Sequence, residues 1–227
     1  RMVINYDVIG RSDDEIMAQF KEDASKLSAE ELVYAANRLA KTPEEKKAIL
    51  TRMATLYPND YRAQNNLAVL SMQSGDNAAA KQYLTQALSK KSGAAESNVN
   101  LGMIALQNGQ FKEAEQYIGK GSTAAAYDEA LGNLYIAQGK YNEAAAKLSK
   151  APASNSGVLA NILSNNYSEA KKIADGIKNP DATTAYLQAV LASRMGNKSE
   201  ANEYIELAKK LNSKYATRAA NDIELNK

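Results

Sequence analysis

Asn100-Leu101-Gly102-Met103-Ile104-Ala105-Leu106-Gln107-Asn108-Gly109-Gln110-Phe111-Lys112-Glu113-Ala114 is the stretch on which the fold turns. An apolar run with helical spacing meets a glycine, and a second amphipathic run begins directly after it. The landmarks recur. Leu67-Ala68, Gly75 and Ala80 stand 34 residues before Leu101-Gly102, Gly109 and Ala114, and Leu131-Gly132, Gly139 and Ala144 stand 30 residues after them. Gly196 with Ala201 opens the second half of a further copy. Such a period predicts a helix, a turn and a helix, stacked copy upon copy.

Each landmark has a physical role. The first helix must stop at the glycine and the chain must turn back, which calls for a left-handed backbone that costs other residues about 1–2 kcal/mol. The alanines five residues on mark the place where paired helices approach most closely. A larger side chain would clash there.

Outward from the centre the pattern loosens. On the carboxyl side Asn165-Asn166-Tyr167-Ser168-Glu169-Ala170 repeats the turn of Gly139-Lys140-Tyr141-Asn142-Glu143-Ala144, with Asn in the glycine's place. A short helix over 156–164 precedes it, a last pair spans 181–195 and 198–211, and a capping helix over 213–225 carries Ala216, Ala219, Ala220 and Ile223 on one face. Gly119-Lys120-Gly121-Ser122 lacks the spacing of a phosphate loop and reads as a flexible break between copies.

On the amino side, 28–58 reads as a degenerate copy ending at Tyr57-Pro58, with Lys41 where a turn glycine is expected. Ser12-Asp13-Asp14-Glu15 and Ser28-Ala29-Glu30-Glu31 have the form of capping boxes, and Thr42-Pro43 opens a third helix. The acids at 13–15 suit a helix amino end, so they need no metal. Val3 to Ile9 is rich in β-branched residues and reads as extended. The domain reading is therefore an extended segment over 1–11 and an α-helical array over 12–227, with clear copies across 61–151 and degenerate ones across 28–58 and 152–211.

Composition excludes whole classes of chemistry. The chain has no cysteine and no histidine, hence no disulfide, thiolate nucleophile, imidazole base or ordinary zinc site. No catalytic residue, metal or cofactor is expected. Its 28 basic and 26 acidic side chains are interspersed, without the basic stripe that nucleic acid requires. No stretch approaches the roughly 18 consecutive apolar residues of a membrane span.

The sequences Asn100-Leu101-Gly102…Gly109-Gln110-Phe111-Lys112-Glu113-Ala114 and Leu131-Gly132-Asn133-Leu134-Tyr135…Gly139-Lys140-Tyr141-Asn142-Glu143-Ala144 closely resemble the tetratricopeptide repeat consensus. The resemblance covers roughly 28–211. It implies an all-α, right-handed solenoid that binds protein or peptide on a concave surface lined by the first helix of each copy. Mapped residue by residue, that surface holds Arg62, Asn65, Asn66, Val69, Met72 and Gln73 in the first clear copy. The next contributes Glu96, Val99, Asn100, Met103, Leu106 and Gln107, and the third Ala126, Glu129, Asn133, Ile136 and Ala137. We single out Asn65, Asn66, Val69, Met72, Asn100, Met103, Leu106, Asn133 and Ile136 as the partner-binding set, because amides can hold a peptide backbone beside apolar contacts. The basic clamp by which chaperone adaptors grip a carboxylate is missing in either register.

The functional expectation is a non-enzymatic scaffold for a protein or peptide partner. Its alternative is a spacer that positions flanking domains with an empty groove. The segment Met2 to Gly10 leading into repeats resembles the join between a β-rich module and a repeat array in bacterial cell-envelope proteins, which favours the envelope over the cytoplasm. A start at Arg1-Met2 points to a segment of a longer protein.

Overall fold

A computed structural model describes residues 10–225, so the extended reading of Val3 to Ile9 lies outside the described residues. Among those described, secondary structure is entirely helical, as the repeat spacing predicts. The chain divides into two compact units.

Among the described residues, the first unit comprises 10–108 and 119–124. It contains α1 (Asp13–Asp23), α2 (Ala29–Tyr34), α3 (Pro43–Leu56), α4 (Tyr61–Gln73), α5 (Asn77–Lys90) and α6 (Ala95–Gln107). Both predicted capping boxes are formed, Ser12 with Glu15 and Ser28 with Glu31, and Thr42 caps α3 with Pro43 in its first turn. Ile16, Leu27, Leu32, Ile49, Leu50, Met53 and Leu67 form the core of this unit.

Among the described residues, the second unit comprises 109–118 and 125–225. Most of α7 (Phe111–Lys120) falls in it, with α8 (Tyr127–Ala137), α9 (Tyr141–Leu148), α10 (Asn155–Leu163), α11 (Tyr167–Asp175), α12 (Ala182–Arg194), α13 (Lys198–Leu211) and α14 (Lys214–Ala220). Val158, Ile162, Ala170, Leu187, Val190 and Ile205 build its larger core.

The turn positions behave as the spacing demands. Gly75, Gly109, Gly139 and Gly196 have φ between 73° and 80°, and Asn165 has φ 60°. At Gly75 the closure is complete: the Gly75 amide donates to Met72 O at 3.1 Å and the Asp76 amide to Ser71 O at 2.8 Å. These two bonds satisfy carbonyls that the helix end leaves open. Ala80, Ala114 and Ala144 are fully buried.

Lys41 escapes the glycine requirement by a different route. After α2 the chain widens into a π turn, Ala35–Leu39, closed by the Ala40 amide on Ala35 O at 2.9 Å. The corner therefore needs no left-handed residue. Tyr57, at the end of the paired helix, donates its hydroxyl to Leu27 O at 2.5 Å and joins the two ends of this copy.

Two details differ from the sequence expectation. Gly121 is not a flexible break: it is buried, and a Cβ there would lie 2.4 Å from Val99 Cγ2 and 2.7 Å from Ala95 O. The shortened copy brings backbone directly onto α6, and only glycine fits. The capping helix α14 stops at Ala220 rather than near 225, and Ile223 is 78% exposed. Tyr215, Ala219 and Leu225 make the apolar contact instead.

Candidate protein-binding faces

In the first unit α4 and α6 are neighbours, and seven of the nine candidate residues lie on them. The amino ends of the two helices are polar. Arg62 bridges Asp60 at 2.5 Å and Glu30 at 3.0 Å, and that guanidinium holds the Asp60 carboxyl below its ordinary range. Tyr61 donates to Glu96 at 3.3 Å while Lys91 stands 4.8 Å from the centre of the Tyr61 ring.

The amides are largely engaged within the fold. Asn65 is buried, and its Oδ1 accepts from Ser97 Oγ at 3.0 Å and from Asn100 Nδ2 at 3.1 Å. Its own Nδ2 donates to Asn66 Oδ1 at 3.3 Å. Asn65 and Asn100 thus tie α4 to α6. Ser97, which sequence reasoning passed over, is completely buried at the centre of this network.

Further along the same helices the surface becomes apolar. Val69 and Met72 on α4 and Met103 and Leu106 on α6 are all half-buried. Met side chains adapt to irregular surfaces, which suits contact with another chain. Beyond them Asn77 donates to Gln107 Oε1 at 3.0 Å.

Asn133 and Ile136 lie on α8, in the second unit. Both are half-buried, and Ile136 packs with Tyr135 against Ala144, Ala145, Leu148 and Ala160. A separate cavity of about 520 Å³ in the first unit is bounded by α3, α4 and Tyr83 of α5. None of the candidate residues lines it.

Residues 71–134 match the tetratricopeptide repeat family. The centre of the chain carries tetratricopeptide repeats. This protein is similar in structure to a tetratricopeptide repeat protein from Parabacteroides merdae, at 15% identity and TM-score 0.60 over 88% of this chain and 85% of that one. It is likewise similar to PilW, a type IV pilus biogenesis factor, at 18% identity and TM-score 0.60 over 90% and 97%. The Cut9–Hcn1 hetero-tetramer of the APC/C gives TM-score 0.72 at 14% identity, over 93% of this chain and 43% of that one. At these identities the likeness is one of fold. No curated protein matches the sequence.

The family reading orders the geometry just described. Tetratricopeptide repeats mediate interactions between proteins, and α4 and α6 are first helices of their copies. Of the acids at 13–15, Glu15 completes its capping box and Asp13 accepts from Tyr34 at 3.0 Å.

Proposed function

We propose that this tetratricopeptide repeat protein is a non-enzymatic scaffold that binds a protein or peptide partner on the α4–α6 face. The observation that carries the proposal is the half-buried strip of Val69, Met72, Met103 and Leu106 beside a polar rim. Such a strip supplies apolar contact, and Asn66 and Asn100 at its border supply hydrogen-bonding groups for a peptide backbone. In the second unit, Asn133 and Ile136 on α8 are proposed as partner contacts of their own. The fold shared with PilW supports, by analogy of fold, a role in assembling a bacterial cell-envelope structure.

The spacer alternative draws on one specific observation, the engagement of Asn65 and Asn100 with each other and with Ser97. The two readings separate experimentally. A photo-crosslinking residue placed at Met72 or Met103 in producing cells should give a discrete adduct with one partner, and at exposed Lys112 it should give none. Equal or absent labelling from all three positions would leave the spacer reading in its place. Cell fractionation tests the envelope assignment.

A further inference from the structure

Thr183, Tyr186, Ser193 and Arg194 fall on one stripe of α12, because residues three, ten and eleven apart share a helical face. Counted back from the turn glycine, they occupy the places that Arg62, Asn65, Met72 and Gln73 occupy in α4. Within the second unit this stripe is covered by the chain's own residues 215–225.

The contacts run the length of the helix. The Tyr215 and Thr183 hydroxyls lie 2.8 Å apart, and the Tyr186 and Tyr215 rings are 5.1 Å apart with the Arg218 guanidinium 4.7 Å from the Tyr186 ring. Beyond α14, Tyr186 donates its hydroxyl to Asp222, and Ser193 donates to the Glu224 carbonyl. Arg194 pairs with the Glu224 carboxylate at 2.9 Å and donates to Ile162 O at 3.0 Å. Ile223, between the two acids, faces away and is 78% exposed, whereas Leu225 joins the core.

The geometry points to a second binding surface, the α12 stripe, which takes a short acidic segment of a partner protein and is held closed in this structure by residues 222–225 acting as its internal mimic. Charge and pattern both specify the occupant. Two acidic residues two positions apart meet a tyrosine hydroxyl and an arginine, and the following apolar residue reaches the core. The 222–225 part of the cover lies beyond α14 and belongs to no helix, the kind of element that opens locally before the fold does. Because the internal segment is tethered, it competes at an effective concentration of about millimolar, so a partner must exceed it in affinity or be held nearby. The inference is independent of the α4–α6 face.

The test uses a labelled peptide of residues 219–225 and the whole chain. Asp222→Ala with Glu224→Ala should raise affinity for the peptide about tenfold or more over the unaltered chain, because closure reduces apparent affinity by the competent fraction. Adding Arg194→Ala should weaken that binding about fivefold or more. Equal affinity in the unaltered and opened chains, or indifference to Arg194→Ala, would overturn the proposal. Should the opened variant melt instead, the unaltered chain still tests the proposal: excess peptide should accelerate its amide exchange across 222–225 several-fold, and unchanged protection would overturn it.

Discussion

The Ser97 hydroxyl donates to the Asn65 side chain at 3.0 Å, and the same relation recurs between Thr184 and Asn155 at 2.8 Å. Both hydroxyls are buried. In each case the amide belongs to one first helix and the hydroxyl to the next, so a polar bridge joins successive copies inside each unit.

The bridges differ in what remains when the amide is removed. Asn65→Ala strands the buried Ser97 hydroxyl and should destabilise the chain by about 1–3 kcal/mol. Thr184 retains contact with Asp181 at 3.1 Å, so Asn155→Ala should cost only about 0.5–1.5 kcal/mol. Urea unfolding of the two variants should show that order.

At the corners strain and space separate. Nothing lies within 4 Å of a Cβ built on Gly75, so Gly75→Val should cost about 1–2 kcal/mol through left-handed strain alone. Asn165→Gly relieves strain at φ 60° but loses the bond from the Tyr167 hydroxyl at 3.0 Å. Its melting temperature should stay close to that of the parent.

Crowding acts alone at the other glycine. Gly121→Ala should destabilise by about 1–3 kcal/mol through overpacking on Val99. Gly119→Ala, in the last turn of α7 with open space around it, should stabilise by about 0.5–1 kcal/mol. Thermal melts of this pair check the close approach.

Acid should weaken the first unit. Asp60 accepts from Arg62 and has a carboxyl pKa below its ordinary value. A depressed folded pKa gives stability that is present above the unfolded value and lost as the pH falls through the folded one. Stability should therefore drop below about pH 4, and Arg62→Met should flatten that drop in urea titrations run at pH 2–6.

Within the second unit protection should be uneven. The helices α9, α10 and α11 have 8, 9 and 9 residues, against 13 and 14 in α12 and α13. Shorter helices keep a larger share of frayed ends. Hydrogen exchange should be faster in α9 to α11 than in α12 and α13, and uniform protection would contradict this.

The corners and close-packed alanines were legible because each depends on a few neighbouring residues and recurs at a fixed period. Asn165 could be placed for the same reason. The engagement of Asn65 was not legible, since it depends on Ser97 and Asn100 arriving on a different helix 32 and 35 residues away. Gly121 was misjudged because composition alone cannot distinguish a glycine that needs freedom from one that needs room. The short α14 escaped notice because the alanine pattern over 213–225 is helical in spacing, while Tyr186, Ser193 and Arg194 draw Asp222 and Glu224 into turns.

At Asp76 one residue ends a helix and begins the next: its amide closes α4 on Ser71 O, and its side chain accepts from the Ala79 amide at 2.9 Å to cap α5. Asn197 does the same between α12 and α13. These corners are exposed, yet they contain no slack that a protease could draw into its cleft. Nicking would fall instead on the longer connections around 149–154 and 176–181, so digestion would release intact helical hairpins.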